Sequence, residues 1–408
     1  MEYSPSQIEQ RTKFAFIGYR LASVPFWCML AVLTVILYET MHITPFQIMC
    51  LVIIKPMSAL FAPYWSHHIH ERPDRALSNL AWGNILRYLP FLFVPWINSP
   101  WIVILSFGLY MMFCRGGFTV WIETIKNNMP VASRERLMSF SSALDYGLTA
   151  ILSLVLGPML DKNPESWRYL FPAGAAFGLI STFLLYRIPP SASKIPSTAP
   201  YKIDLLTPWK KSWALVKKDV NFANFQVGFM LGGAGLMILH SVTPMFFVDV
   251  LQLSYTKILT ATTIIKSLSY VLTTPLWVRL FRKINIYYFC GLVTILTTLF
   301  PFLLLSAQLH ILLLYSAYAI YGIMQAGNEF AWNMSGPIFS KEQDSTIFGS
   351  TNVLAVGIRS CLIPPLGTLL YTLTNFSAVM IAGALLGLLA TTHFMRYGAS
   401  LKTKKEPA

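Results

Sequence analysis

The chain has 408 residues, of which 55% are hydrophobic and only 12% are charged, against about 25% charged in an ordinary soluble domain. Apolar stretches of roughly 20 residues, enough to cross about 30 Å of hydrocarbon, recur from end to end and exclude a soluble globular protein. The net charge of +14 would suit a nucleic-acid partner, but its placement along the chain does not.

The polar start, Met1 to Gln10, leads into an apolar run too long for a cleaved signal peptide. Twelve spans are predicted, at roughly 14–38, 45–66, 77–97, 101–125, 137–160, 167–187, 221–248, 256–278, 286–306, 311–334, 346–371 and 376–395. With the N-terminus inside, 22 of the 31 basic residues fall on inner segments and only Lys162, Arg168 and Lys257 on outer loops. This is the positive-inside bias, so the charge is topological. It predicts a multi-pass protein of the cytoplasmic (inner) membrane with both termini cytoplasmic, the lipid bilayer as a partner, and no nucleic acid. Cys28, Cys50, Cys114, Cys290 and Cys361 all lie in spans, at spacings that fit neither a metal site nor a disulfide framework.

In chain order, span 1 carries Arg20 beside Tyr19 and Trp27, span 2 carries Lys55, and span 3 carries Arg87. Span 4 holds Arg115, with Glu123 close to its inner end, and span 5 holds Asp145. The stretch 188–219 has Pro189, Pro190, Pro196, Pro200 and Pro208 among serines and lysines, so it is a linker. Its end reads as a short interfacial helix, capped by Thr207, with Trp209, Trp213 and Val216 on one face and lysines able to reach anionic headgroups. A solvated basic linker is the alternative. Span 7 is rich in glycine (Gly228, Gly232, Gly233, Gly235), span 8 carries Lys266, span 10 carries Gln325, Asn328 and Glu329, and span 11 carries Arg359.

The two lysines expose a duplication. Ile53-Ile54-Lys55-Pro56-Met57-Ser58 is echoed by Ile264-Ile265-Lys266-Ser267-Leu268-Ser269. The segment Leu37 to Thr44 matches Phe247 to Ser254 at an offset of 210; after one inserted residue the offset is 211, aligning Lys55 with Lys266, Tyr110 with Tyr321, Gly116 with Gly327 and Trp121 with Trp332. Each half then has six spans in the same direction, a parallel repeat about an axis along the membrane normal. The predicted organisation is an N-terminal six-helix bundle (1–188), a basic linker (189–219) and a C-terminal six-helix bundle (220–408).

Two six-span bundles joined by a long basic loop resemble the major facilitator superfamily of secondary transporters. After the second span that family carries Gly-x-x-x-Asp-Arg-x-Gly-Arg; here the stretch is His67-His68-Ile69-His70-Glu71-Arg72-Pro73-Asp74-Arg75, which keeps Glu71, Arg72 and Arg75 but replaces both glycines. Gly157-Pro158 at the end of span 5 resembles a motif of exchangers and exporters. The resemblance implies an all-α fold of twelve transmembrane helices in two pseudo-symmetric bundles, with spans 1, 4, 7 and 10 lining a central cavity. It also implies a gating role for Glu71, Arg72 and Arg75; Glu123, close to the inner surface, is a further gating candidate.

Nine ionisable groups within spans are more than packing requires, since each costs about 3 kcal/mol on insertion scales and is usually turned toward a cavity or a partner. Arg115 and Asp145 lie at similar depth on adjacent spans and are expected to pair. Arg87, on a peripheral span, is expected to have a structural partner. Lys55, Lys266 and Arg359 lie near the midplane with no acid left to balance them, and an anionic solute is the economical counterion. The expected function is alternating-access transport of a small organic, anionic solute. Lys55, Lys266, Arg359, Arg20 and Arg115 would bind it, and Asp145 and Glu329 are the candidates for proton coupling. Glu329, among Gln325, Asn328 and Asn333, reads equally as a gating contact. No catalytic constellation or cofactor motif is present, and a monomer is expected. Export of amphipathic or drug-like compounds, or a transporter fold kept as a sensor or assembly factor without flux, are the alternatives.

Overall fold

A computed structural model describes residues 4–71, 75–185, 187–188, 206–340 and 345–403. All regular structure among the described residues is helical. Helices α1 (Pro5–Met41), α2 (Pro45–Glu71), α3 (Ala76–Leu92), α4 (Pro100–Asn128), α5 (Val131–Lys162) and α6 (Trp167–Leu185) form the first six spans. The linker helix is α7 (Thr207–Lys218), and α8 (Val220–His240) is the seventh span. The eighth span, α9, is Tyr255–Leu259, a π-helical segment Thr260–Ile265 and Lys266–Phe281 in succession. Then follow α10 (Ile286–Ser306), α11 (Ile311–Ser340), α12 (Ser345–Leu373) and α13 (Phe376–Thr403).

Local sequence explains the ends. Ser4-Pro5-Ser6-Gln7 and Thr44-Pro45-Phe46-Gln47 each build a reciprocal cap. Gln7 Oε1 accepts from Ser4 N–H at 3.0 Å and Gln47 Oε1 from Thr44 N–H at 2.9 Å, while the Ser4 and Thr44 hydroxyls accept the return bonds at 3.4 and 3.3 Å. Asp219 and Asn285 cap α8 and α10 by accepting from Phe222 and Tyr288 N–H, both at 2.9 Å. Span 7, predicted to run unbroken to 248, stops at His240 and continues after a turn as Thr243–Met245 and a π segment, Phe246–Val250. Pro244 supplies the break, because it has no N–H to give the helix.

Among the described residues, eight stretches are long and apolar enough to cross a membrane by length and composition. Helix α11 is not among them despite its 30 residues, because Gln325, Asn328, Glu329 and Asn333 lower its hydropathy. Side chains such as Leu105 (66% exposed), Phe183 and Leu272 are bare in the protein alone, as expected of surface that meets lipid.

The chain divides into two compact units, Met1–Ile203 with Ser254–Leu259, and Asp204–Leu253 with Thr260–Ala408. In the first, α1 packs on α5 and α6, α2 on α4, and α3 on α4 and α6. In the second, α8 packs on α12 and α13, α9 on α11, and α10 on α11 and α13. These are the same five pairings, six spans apart, so the sequence repeat is also a packing repeat. The interior of the first unit is aromatic, with Phe26, Tyr88, Phe91, Tyr110 and Phe171 fully buried and meeting edge to face or stacked. In the second, Phe222, Phe225, Phe289, Phe348 and Phe394 have the same role.

The segment Ser254–Leu259 belongs to the first unit through the end of α5. Asp161 accepts from Tyr255 N–H at 2.6 Å and from Thr256 N–H at 3.2 Å, while the Ser254 hydroxyl accepts from Lys257 N–H at 3.4 Å. Gly157, one turn before Asp161 on the same face, makes the approach possible: a Cβ there would lie 2.8 Å from Thr256 Cα.

Candidate functional site

In the first unit Arg20 of α1 donates through Nη2 to Asp145 of α5, both side chains being a little over a quarter exposed (28% and 29%). This corrects the expected Arg115–Asp145 pair. Helices α1 and α5 pack face to face, whereas the consecutive helices α4 and α5 scarcely touch, so the shared depth of Arg115 and Asp145 does not bring them together.

Arg115 is instead within electrostatic range of Lys55, on the packed pair α4 and α2. Lys55 is exposed as a residue, and its ammonium stands 6.0 Å from the centre of the Trp27 ring on α1. Among the described residues neither Lys55 nor Arg115 forms an ion pair with a carboxylate. Two cations on packed helices thus have no ion pair with a carboxylate among the described residues, an arrangement that attracts an anion.

Arg87 is only 3% exposed and sits in a cage of tyrosines. It donates to the Tyr88 hydroxyl at 2.8 Å, and its guanidinium carbon lies 4.5, 5.3 and 5.4 Å from the rings of Tyr88, Tyr19 and Tyr110. It is an internal strut of the bundle. Of the gating residues, Arg75 is exposed at the start of α3; Arg72 and the side chains of Glu71 and Glu123 lie outside the described residues.

In the second unit Arg359 of α12 is 7% exposed and reaches α8, where it donates through Nη1 to the Phe229 carbonyl at 2.7 Å and lies 5.4 Å from the Phe229 ring centre. Its Nε is buried without a partner, and no described carboxylate meets it. Gly233 leaves the space for this guanidinium, which a Cβ would overlap. Arg359 opens onto a cavity of about 180 Å³ whose other walls include Phe229, Thr294, Tyr321, Gln325 and Asn328. The polar cluster expected on span 10 is therefore split. Gln325 and Asn328 face the cavity, while Glu329 is exposed elsewhere and accepts from the Tyr270 hydroxyl at 2.9 Å.

Lys266 is not among the walls of this cavity. Its ammonium stands 6.0 Å from the Tyr321 ring centre, repeating the Lys55–Trp27 distance in the other unit. A buried amide relay, not among the residues expected from the sequence, lies in the same unit: Gln226 donates to Asn352 Oδ1, and Asn352 donates to the Ser335 hydroxyl at 2.7 Å. Uncharged polar residues in apolar helices were the available signal, because a buried amide needs partners as a charge does.

With the geometry in view, comparison with known proteins gives a consistent result. The family profile described as Major Facilitator Superfamily matches residues 15–358. No curated protein matches the sequence. Among solved structures, that of the nucleoside transporter NupG is similar, with a TM-score of 0.72 and 15% identity over 95% of this chain and 98% of that one. A mutant of the same nucleoside transporter gives a TM-score of 0.73 and 14% identity over 94% and 99%. A bacterial homologue of the human lysosomal transporter Spinster, inward-facing and unoccupied, gives 0.65 and 13% identity over 99% of each chain.

Proposed function

Because the chain belongs to the Major Facilitator Superfamily, a family of secondary transporters, we propose that it moves a small organic anion across the membrane by alternating access. The observation that carries this reading is Arg359, a buried guanidinium on a cavity wall with no carboxylate partner among the described residues. Guanidinium has five N–H donors, and the Phe229 carbonyl takes only one bond here, leaving donors for a carboxylate or phosphate. In the other unit, Lys55 and Arg115 on the packed helices α2 and α4 support the same charge preference.

Phe229 and Tyr321 offer ring faces beside Arg359, and Gln325 and Asn328 offer amides, which favours an anion with a planar portion over an inorganic ion. A cavity of about 180 Å³ is smaller than the ~300–1,000 Å³ typical of drug-sized ligands, which favours a metabolite. NupG is a nucleoside transporter by title, so nucleosides against nucleotides is an informative contrast of ring with and without charge. Arg20, released from Asp145 when solute binds, would let that carboxylate take a proton, and Glu329 is a second candidate for coupling. The positive-inside bias of the sequence supports cytoplasmic termini and an inner-membrane location, and the reading takes the protein to act as a monomer.

The test is uptake by the purified protein in proteoliposomes, against a panel of carboxylates, phosphates, neutral nucleosides and cations. Anions are the transported class. Arg359→Gln lowers uptake at least tenfold, while Arg359→Lys retains part of it. Transport of cations in preference to anions, or full uptake by Arg359→Gln, refutes the reading.

A further inference from the structure

Helix α7 (Thr207–Lys218) lies outside the twelve spans and has two different faces. One is fastened to the second unit. The buried Ser212 hydroxyl accepts from Thr351 of α12 at 3.0 Å, and Leu215 and Val216 pack on that unit's core. Val216 therefore belongs to the fastened face rather than to the tryptophan face expected from the sequence, and Leu206 instead of Thr207 occupies the cap position.

The other face is uncovered. Trp213 is 64% exposed, and Leu206, Trp209 and Val220 are exposed beside it. Lys210 and Lys217, one turn before and after Trp213, share its side of the helix, Lys211 and Lys218 lie further round the uncovered side, and all four are exposed. The Lys217 ammonium stands 5.2 Å from the centre of the Trp213 ring, so cation and indole form one surface. The only acid between Leu206 and Val220 is Asp219, whose carboxylate is engaged in capping α8.

We propose that this face binds the headgroups of anionic phospholipids. Three features support that occupant over a soluble one. Asp219 alone separates α7 from the membrane span α8, which holds the helix at the membrane surface. Exposed tryptophan with aliphatic neighbours suits the headgroup boundary, where indole is half in and half out of water. Four lysines on the same helix give the charge that anionic lipid attracts, and their alkyl stems can lie along the apolar surface while the ammonium groups reach the phosphates.

The lipid contact has a route into the bundle. Thr351, which holds Ser212, precedes Asn352 of the Gln226–Asn352–Ser335 relay. Arg359 stands two turns further along the same helix, about 12 Å at 1.5 Å per residue. Headgroup binding to α7 thus bears on the helix that carries the cavity arginine. This inference does not depend on the identity of the solute, and its test needs no transport assay.

The full-length purified protein in neutral detergent is titrated with phosphatidylglycerol or phosphatidylcholine, and binding is followed by tryptophan fluorescence and by the thermal midpoint. Wild-type protein binds phosphatidylglycerol at least tenfold more tightly than phosphatidylcholine, and 1 M salt removes the preference. Changing the lysines to glutamine weakens the preference stepwise, by up to about fivefold each, until Lys210→Gln/Lys211→Gln/Lys217→Gln/Lys218→Gln together show none. These side chains are exposed, so the quadruple variant keeps its midpoint in detergent alone. Retention of the preference by the quadruple variant overturns the proposal. So does a single-stranded oligonucleotide binding as tightly as phosphatidylglycerol, which would make α7 a general polyanion surface.

Discussion

Removing the Asp161 carboxylate should loosen the first turn of α9 and little else. In that turn the N–H groups of Tyr255 and Thr256 have no helical acceptor, and Asp161 supplies one at 2.6 and 3.2 Å. The next N–H, of Lys257, is held separately by the Ser254 hydroxyl. Losing an N-terminal cap costs about 1–2 kcal/mol. At 1.4 kcal/mol per factor of ten, Asp161→Ala then speeds amide hydrogen exchange of Tyr255 and Thr256 by roughly 5- to 30-fold. Asp161→Asn keeps an acceptor but loses its charge, so the increase is only a few-fold. Lys257, whose acceptor is untouched, changes least and serves as the internal control. Residue-resolved hydrogen–deuterium exchange of the purified protein reads all three amides. Wild-type exchange at Tyr255 and Thr256 in Asp161→Ala, or an equal acceleration at Lys257, refutes the assignment of the cap to Asp161.

Three further outcomes are expected. Gly233→Ala puts a methyl group where the Arg359 guanidinium lies, so it lowers solute uptake at least tenfold while expression is retained, read in proteoliposomes. A double-mutant cycle of Arg20→Gln and Asp145→Asn gives a coupling energy of about 1–2 kcal/mol in equilibrium unfolding, between surface and fully buried pairs; Asp145→Asn alone also abolishes proton-driven accumulation, and full uphill uptake by that variant would end its coupling role. Asn352→Leu removes the acceptor of Gln226 and the donor to Ser335, costing about 2 kcal/mol by leaving a buried amide unpaired, visible as a lower thermal midpoint.

The fold was largely legible because a bilayer simplifies the reading. Apolar length marks the spans, and the Lys55 and Lys266 segments reveal the repeat that the helix pairings then reproduce. Pairing between charges was less legible. Depth along the normal can be counted from sequence, which is why Arg115 and Asp145 looked like partners, but lateral adjacency cannot, and α5 turned out to lie against α1. Azimuth was equally hidden. Glu329 and Asn328 are consecutive residues, yet only Asn328 faces the cavity. Counting charges alone also left out Asn352 and Ser335, although uncharged polar groups in a span carry a similar demand for partners.

The π segment ahead of Lys266 bears on how such a repeat can diverge. The second half has one residue more than the first between the positions matching Thr44 and Lys55. In an ordinary α-helix an added residue would rotate everything beyond it by about 100°, at 3.6 residues per turn. Helix α2 shows no such irregularity across Pro45–Glu71, whereas α9 takes up a widened turn at Thr260–Ile265, immediately before the matched lysine. The extra residue is absorbed where it entered, and Lys266 still meets an aromatic ring, although one on span 10 where Lys55 meets one on span 1. Two copies of unequal length can therefore keep the same helix pairing, α2 on α4 and α9 on α11, even where the ring beside the lysine has changed helix.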